Sequence, residues 1–398
     1  MTINDVEVRQ ADNNEVTVGT VSEYDIKITE CVRECDIDGE TTKVNSAWIG
    51  GTMTVEVNGA AIKHTFRYLD TIRHKKNGDE NKIFKGLMTA FGYDVEFDVD
   101  AKKLVYNKID GGLIPKIEGK ITWVDANKNT TDSVVIKKKD GEVATRVKVT
   151  SRLGLQEGLN RDQSDLAFYN ELPVSYISTS GVAEEDSAMF TIEGVIKNIV
   201  NEISANGSST GRYLVDLIVP NFFGIDVFPF VMLDKWTNII DDEEIEVTKE
   251  MFYDGSDDSF CKIGDTVKLS GDIESHSFGA VVTESTSKRT FGGGAKNVRQ
   301  GYSRIEWTIK AGDIVEDADK YDNDIIKIAL DERDIQLDNN YKKRLEDYRN
   351  ATANKSNNSS APKASPKNAS SNVSPFGKPS NANPFGGSAT KKQNPFGK

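Results

Sequence analysis

Apolar residues in the first third of the chain recur at every second position. Residues 52–57 and 61–68 are two such alternating runs, and Asn58-Gly59 between them accepts the positive φ of a tight turn, so the pair predicts a β-hairpin. Asn81 then opens a stretch in which Ile83, Phe84, Leu87, Met88 and Phe91 follow a 3.6-residue period, and Gly92 closes it, which predicts one short helix. Alternation returns at residues 116–123, 133–137 and 143–149, separated by turn residues that include Asp140-Gly141. A β-rich domain with a single helix is expected over residues 14–172.

A second domain is expected over residues 188–312. Residues 190–197 read as a strand interrupted by Gly194, the device by which one strand bends to serve two sheets. Residues 212–219 read as a second strand ended by Pro220, and 224–231 as a third whose Pro229 suggests an edge. An Asp- and Glu-rich connection follows, then a strand at 263–273 and another at 303–309. Residues 331–350 predict a helix, with Ile335, Leu337, Tyr341, Leu345 and Tyr348 on an intermittent apolar side and Lys342, Lys343 and Arg344 near its C-terminal end.

From Ala351 onward the composition changes to Asn, Ser, Ala, Lys, Pro and Gly, too poor in apolar surface to offset the entropy of ordering. A disordered tail is expected over 351–398. It carries Pro-Phe-Gly three times, presenting Phe376, Phe385 and Phe396 as docking anchors for a protein partner, with avidity from repetition. The tail holds seven Lys and no acid, so a net charge of −13 for the chain leaves −13 − 7 = −20 on the first 350 residues. An acidic body counts against nucleic acid unless a local basic patch exists. Such a patch is predicted between the last two strands: residues 275–302 contain Lys288, Arg289, Phe291, Lys296, Arg299 and Tyr302, with Glu284 as the one acid. Lys and Arg replace phosphate counterions and aromatic rings stack on bases, the mixture that holds single strands. Arg304, Arg212 and Tyr213 are candidates beside it, whereas Phe228 and Phe230 are expected in the core.

Other chemistry is weak. Gly292-Gly293-Gly294-Ala295-Lys296-Asn297 lacks the Gly-Lys-Ser/Thr end of a phosphate loop. Asp38-Gly39 reads as a hairpin turn, because the calcium-loop spacing that starts at Glu34 would put Asn45 where a bidentate Glu is needed. Cys31, Cys35 and Cys261 give no disulfide framework, and with His64, His74 and His276 no zinc spacing. No catalytic residue, metal or cofactor is expected, and the chain is not expected to be an enzyme. The polar, acidic start and the lack of long apolar runs suggest an intracellular, cytoplasmic protein.

The order of five strands, with a bent Gly-containing first strand and the Gly264-Asp265-x-Val267-x-Leu269-x-Gly271 fourth strand, resembles the OB-fold. Ile117-Glu118-Gly119-Lys120-Ile121 echoes Ile192-Glu193-Gly194-Val195-Ile196 and hints at a second, degenerate barrel in the first domain. The fold class is thus mainly β: tandem small β domains, the second an OB-fold-like barrel, then a helix and a disordered tail. Barrel, helix and Pro-Phe arm together resemble the bacterial and phage single-stranded-DNA-binding proteins, which implies binding of single-stranded DNA and recruitment of replication or recombination proteins through the arm. The arm departs from that pattern in being basic and in ending Pro395-Phe396-Gly397-Lys398. Two other readings remain: a β-rich structural protein of a virion, and a trafficking adaptor using Asn383-Pro384-Phe385 and Asn394-Pro395-Phe396.

Overall fold

A computed structural model describes every residue except 1, 4–5, 67–79, 99–102, 161, 205–206, 223, 241–242, 257–258, 285–295, 317–318 and 359–398. The chain divides into two compact units, Met1–Glu346 and Asp347–Lys398. The fold is mainly β.

A two-residue ladder of β1 (Thr2–Ile3) and β2 (Val6–Glu7) precedes β3 (Asn13–Ile37), a strand of 25 residues. The register slips by one between Val21 and Glu23, and this bulge lets Val21 and then Tyr24, Ile26 and Ile28 all reach the core. Asp38-Gly39 turns the chain into β4 (Glu40–Val57), and Asn58-Gly59 turns it into β5 (Ala60–Thr65), both with positive φ at each turn residue. Asn81 caps α1 (Lys82–Ala90), its side chain accepting from the Ile83 and Phe84 amides at 3.0 and 3.4 Å. Nine residues of helix bury one stripe, Phe84, Leu87 and Met88; Ile83, expected on that side, is exposed.

A hairpin of β6 (Tyr93–Asp98) and β7 (Lys103–Lys108) follows, then β8 (Glu118–Val124), β9 (Thr130–Lys137) and β10 (Arg146–Ser151). Tyr106 stacks on Trp123 with ring centroids 3.7 Å apart, which joins β7 to β8. After β10 an arm of β11 (Gly154–Leu159) and β12 (Leu166–Glu171) leads to β13 (Val174–Ser178).

Five of these strands form a circuit. β3 pairs β4, β4 pairs β5, Thr65 bridges Pro173 in parallel at the start of β13, β13 pairs β10, and β10 returns to β3. The second domain repeats the order with β14 (Ser187–Ile203), β15 (Ser209–Asn221), β16 (Gly224–Met232), β19 (Thr266–Glu284) and β20 (Lys296–Ile314). Here β14 pairs β15, β15 pairs β16, β16 pairs β20 in parallel, β20 pairs β19, and β19 returns to β14. First, second, third, fifth and fourth strand is the order of an OB-type barrel. Between the third and fourth strands lie an acidic hairpin, β17 (Lys235–Ile240) with β18 (Glu243–Thr248), and the single turn α2 (Lys249–Phe252).

The first domain is therefore also barrel-like, but not through the echo at Gly119. That residue sits on β8, which pairs β3 in parallel outside the circuit, and its bare α-carbon makes room for the Tyr24 ring. The glycine equivalent to Gly194 is Gly19. Both barrels also share one sheet, since β3 and β14 pair edge to edge from Ser187↔Val18 to Ile192↔Asn13.

Several boundaries differ from the sequence expectations. Pro220 does not end β15; it is buried within the strand, opposite Ile225, and the turn comes two residues later. Pro229 lies opposite Asp216, while parallel pairing to β20 covers only Val231 and Met232, consistent with an edge at the proline. The final helix, α3 (Asn323–Asn358), starts earlier and ends later than expected, so Lys342, Lys343 and Arg344 are mid-helix and residues 351–358 are helical. Its buried apolar contacts are Ile326 and Ala329, ahead of the expected start, whereas Ile335 and Tyr348 are exposed. Residues 359–398, with all three Pro-Phe-Gly triplets, lie outside the described residues. Among the described residues no helix is long and apolar enough to cross a membrane, and no group of three His, Cys, Asp or Glu side chains could hold a metal ion. Cys35 and Cys261 are buried, but Cys31 is only half-buried.

Candidate functional site

The segment between the last two strands is a ribbon over most of its length rather than a loop. Pairing of β19 to β14 ends at Asp272, yet β19 and β20 stay in register as far as Glu284↔Lys296, so a two-stranded arm continues past the barrel. Along it Arg299 is opposed to Val281, Tyr302 to Phe278 and Arg304 to His276. Lys288, Arg289 and Phe291 lie outside the described residues.

Carboxylates surround the base of the arm. Arg212 donates from Nε and Nη2 to both oxygens of Glu202, at 2.7 and 2.8 Å, and from Nη1 to Glu306 Oε2 at 3.1 Å. The Glu202 hydrogen bond raises the guanidinium pKa above its ordinary value, so the group stays charged but is engaged by these partners. Glu306 is buried, and His276 Nε2 stands 3.4 Å from it and 3.1 Å from Glu274. Tyr213 is half-buried with the Lys249 ammonium 4.7 Å above its ring, and Lys249 is anchored by Asp234 at 3.0 Å. The fold thus brings Arg212 to the foot of the arm, in a brace, and sets Tyr213 against Lys249. Phe228 and Phe230 are core residues, as expected; Phe228 packs on Trp307 at 5.6 Å.

The corresponding arm of the first barrel, β11–β12, is tied down. Asn170 Nδ2 donates to the Ile305 carbonyl of β20 at 3.0 Å. Glu157 accepts from Arg333 at 3.2 Å and Asn340 at 3.1 Å, and the Tyr341 hydroxyl donates to the Gln163 carbonyl at 3.0 Å, all from α3. Arg333 also reaches Asp226 at 2.7 Å. A cleft of about 280 Å³ lies at this junction, lined by Arg152, Leu153, Pro220, Asp226 and Arg333 among others. Burial raises the Asp226 carboxyl pKa, with Arg333 pulling it down and Glu157 pushing it up.

β4 and β5 are the second and third strands of the first circuit. β19 packs beside β5, on which Lys63 is exposed. On β4, Trp48 is 39% exposed, although Trp123, Trp236 and Trp307 are buried. Sequence pattern did not single out Trp48; the signal available was the Gly50-Gly51 pair that follows it. His64, by contrast, lies inside the barrel, with Nε2 3.2 Å from Thr17 Oγ1 and 3.6 Å from Glu15 Oε2, and has no access to a ligand.

The model of a family described as YorF matches residues 124–343, more than half of the chain. No curated protein matches it. Among solved structures, the wild-type single-stranded DNA binding protein from Thermus aquaticus has a TM-score of 0.30 and 9% identity, covering 77% of this chain and 95% of that one. A deletion mutant of the same protein gives 0.31 and 8%, covering 77% and 97%. Likenesses of this size carry no argument, and the barrel assignment rests on the strand pairings.

Proposed function

The chain belongs to the YorF family, and we propose that this member binds single-stranded DNA without strong sequence preference. The observation that carries the proposal is the β19–β20 arm. An acidic body projects a ribbon that bears Lys296, Arg299, Tyr302 and Arg304 and leads into Lys288, Arg289 and Phe291. Phosphate contacts and base stacking do not read base edges, so affinity without sequence preference is the expected outcome of this residue mixture. Barrels of this strand order use the face of strands two and three and the loops flanking it as binding surfaces, and the β19–β20 arm stands in the place of one such loop in the second barrel.

In this reading the protein is a binding module rather than an enzyme, works inside the cell, and protects and organises single strands. Phe376, Phe385 and Phe396 of the C-terminal arm recruit a protein partner of replication or recombination; the repeated Pro-Phe-Gly triplet supports this role.

The test is fluorescence anisotropy of the purified full chain with labelled single-stranded and duplex oligonucleotides across a salt series. Single strands bind more tightly than duplex, and replacing Lys288, Arg289, Lys296 and Arg299 together by Ala flattens the dependence of log K on log salt by about 0.7 for each phosphate that is no longer neutralised. An unchanged slope removes the arm from the interface, and absence of binding removes the function.

A further inference from the structure

The sheet shared by both barrels carries a branch, β8–β9, that ends in an open edge. Among the described residues β9 pairs with β8 alone, so its far side offers main-chain amides and carbonyls to which no strand is joined. The sequence of that edge favours pairing. Thr130, Thr131, Val134, Val135 and Ile136 are β-branched, and neither Pro nor Gly interrupts the run. The ladder to β8 is irregular only near the start of β9, between the partners of Trp123 and Val124, and is regular from Asp132 to Lys137. Ile136 leans against the core, whereas Val135 points to the other face and is 47% exposed.

Charge on this edge is sorted by sign. Asp132 stands towards its start and exposed Lys137, Lys138 and Lys139 at its end. The Asp132 carboxylate is fixed in place, accepting from the Tyr106 hydroxyl at 2.6 Å and from the Ser133 amide at 2.7 Å. Suppose two copies of the edge pair antiparallel about a two-fold axis at Val135, so that residues equally far before and after it face each other. Asp132 of each copy then opposes Lys138 of the other, Val134 opposes Ile136, and Val135 opposes itself. Neighbouring registers fail. An axis at Val134 sets Asp132 against Ile136, and an axis at Ile136 sets Asp132 against Asp140 and Val135 against Lys137. Parallel pairing in register stacks the lysines on one another.

We infer that the β9 edge is an interface for a second copy of this chain, the two strands pairing antiparallel over residues 132–138 with the two-fold axis at Val135. Self-complementary charge selects the occupant, because another strand would have to carry the same acid and lysine in the reverse order. The contact is isologous and closed: once two β9 edges have met, neither remains to recruit a third chain. One added strand on each side makes a small interface, so the dimer is weak and forms as concentration rises. β9 belongs to neither five-strand circuit, and the inference does not depend on the single-strand reading.

The experiment is sedimentation velocity of the full chain over a rising concentration series, in which the wild type passes from monomer to dimer. Asp132→Lys and Lys138→Asp each set like charges opposite one another twice per dimer, and each alone weakens self-association about tenfold. Mixed in equal amounts, the two variants associate with each other as tightly as the wild type does with itself, since every opposed pair is again acid against lysine. A folding defect in either variant could not produce that recovery. Val135→Lys, which leaves the Tyr106 hydrogen bond untouched, brings two ammonium groups together at the axis and gives a similar loss. A wild-type chain that stays monomeric throughout the series overturns the inference. A dimer that none of the three substitutions weakens overturns it too, as does a mixture of the two charge variants that fails to recover association.

Discussion

Gly19 and Gly194 occupy the same place in two successive barrels. Each sits where the first strand of its circuit changes partner, β3 passing from β10 to β4 and β14 from β19 to β15. Each also has a carbonyl oxygen where a Cβ would go, Glu56 O at Gly19 and Ile218 O, 2.5 Å away, at Gly194. Because the obstructing atom is backbone, the neighbouring strand must move to admit a side chain. Gly19→Ala and Gly194→Ala should therefore each cost about 1–3 kcal/mol, the usual range for forcing extra atoms into packed structure. Chemical denaturation of the two variants checks the claim, and a cost below about 0.5 kcal/mol at both sites would show that the bends are relaxed.

Arg212 is held by Glu202 and by the buried Glu306. Arg212→Ala should destabilise the protein by about 1–3 kcal/mol, since Glu306 is left buried without that guanidinium. Arg212→Lys should recover only part of this, because an ammonium cannot span both oxygens of Glu202 as a fork does. Should the alanine variant keep full stability and instead lower the salt dependence of DNA affinity, Arg212 would be a phosphate contact rather than a brace.

The Asp226 carboxyl, raised by burial, makes the cleft pH-sensitive. A carboxyl whose folded pKa exceeds its unfolded value holds its proton more tightly in the native state. Its contribution to stability is present below the unfolded pKa and declines as pH rises through the folded one. Asp226→Asn lacks this linkage. The difference in melting temperature between variant and wild type should therefore shift in favour of the variant as pH rises from the ordinary carboxylate range, about 4, towards neutrality. A difference that stays constant with pH would mean that Arg333 cancels the burial.

Changing Phe376, Phe385 and Phe396 together to Ala should abolish capture of the protein partner in a pull-down while leaving oligonucleotide affinity within about twofold, roughly 0.4 kcal/mol. Single changes should weaken capture only in part, because the remaining copies keep the effective concentration high. Loss of DNA affinity with retained capture would reverse the assignment.

Local signals proved legible where the chemistry is local. Asn81 as a helix cap, Asn58-Gly59 and Asp38-Gly39 as turns, and Gly194 as a bend all depend on a few adjacent residues. The second circuit was readable for the same reason, since its strands alternate cleanly between punctuated turns. The first circuit was not, because β8 and β9 interrupt it, and β13 closes it through a single bridge at Pro173 that no periodicity announces. The β11–β12 arm was missed because its role arises from a distant partner, α3. Pro220 misled because a proline ends a strand only where its missing N–H would have been needed.

The edge-to-edge pairing of β3 with β14 closes an edge that would otherwise stand open along residues 13–18. A strand edge with unpaired amides and carbonyls is a template for adding another chain, and a long β3 left open on one side would be such a template. Along residues 13–18 each barrel supplies the strand that the other would otherwise recruit from a stranger. The two halves are thus mutual guards against aggregation. A chain cut between Ser178 and Ser187 should yield fragments that remain associated under native conditions and turn sticky once pulled apart.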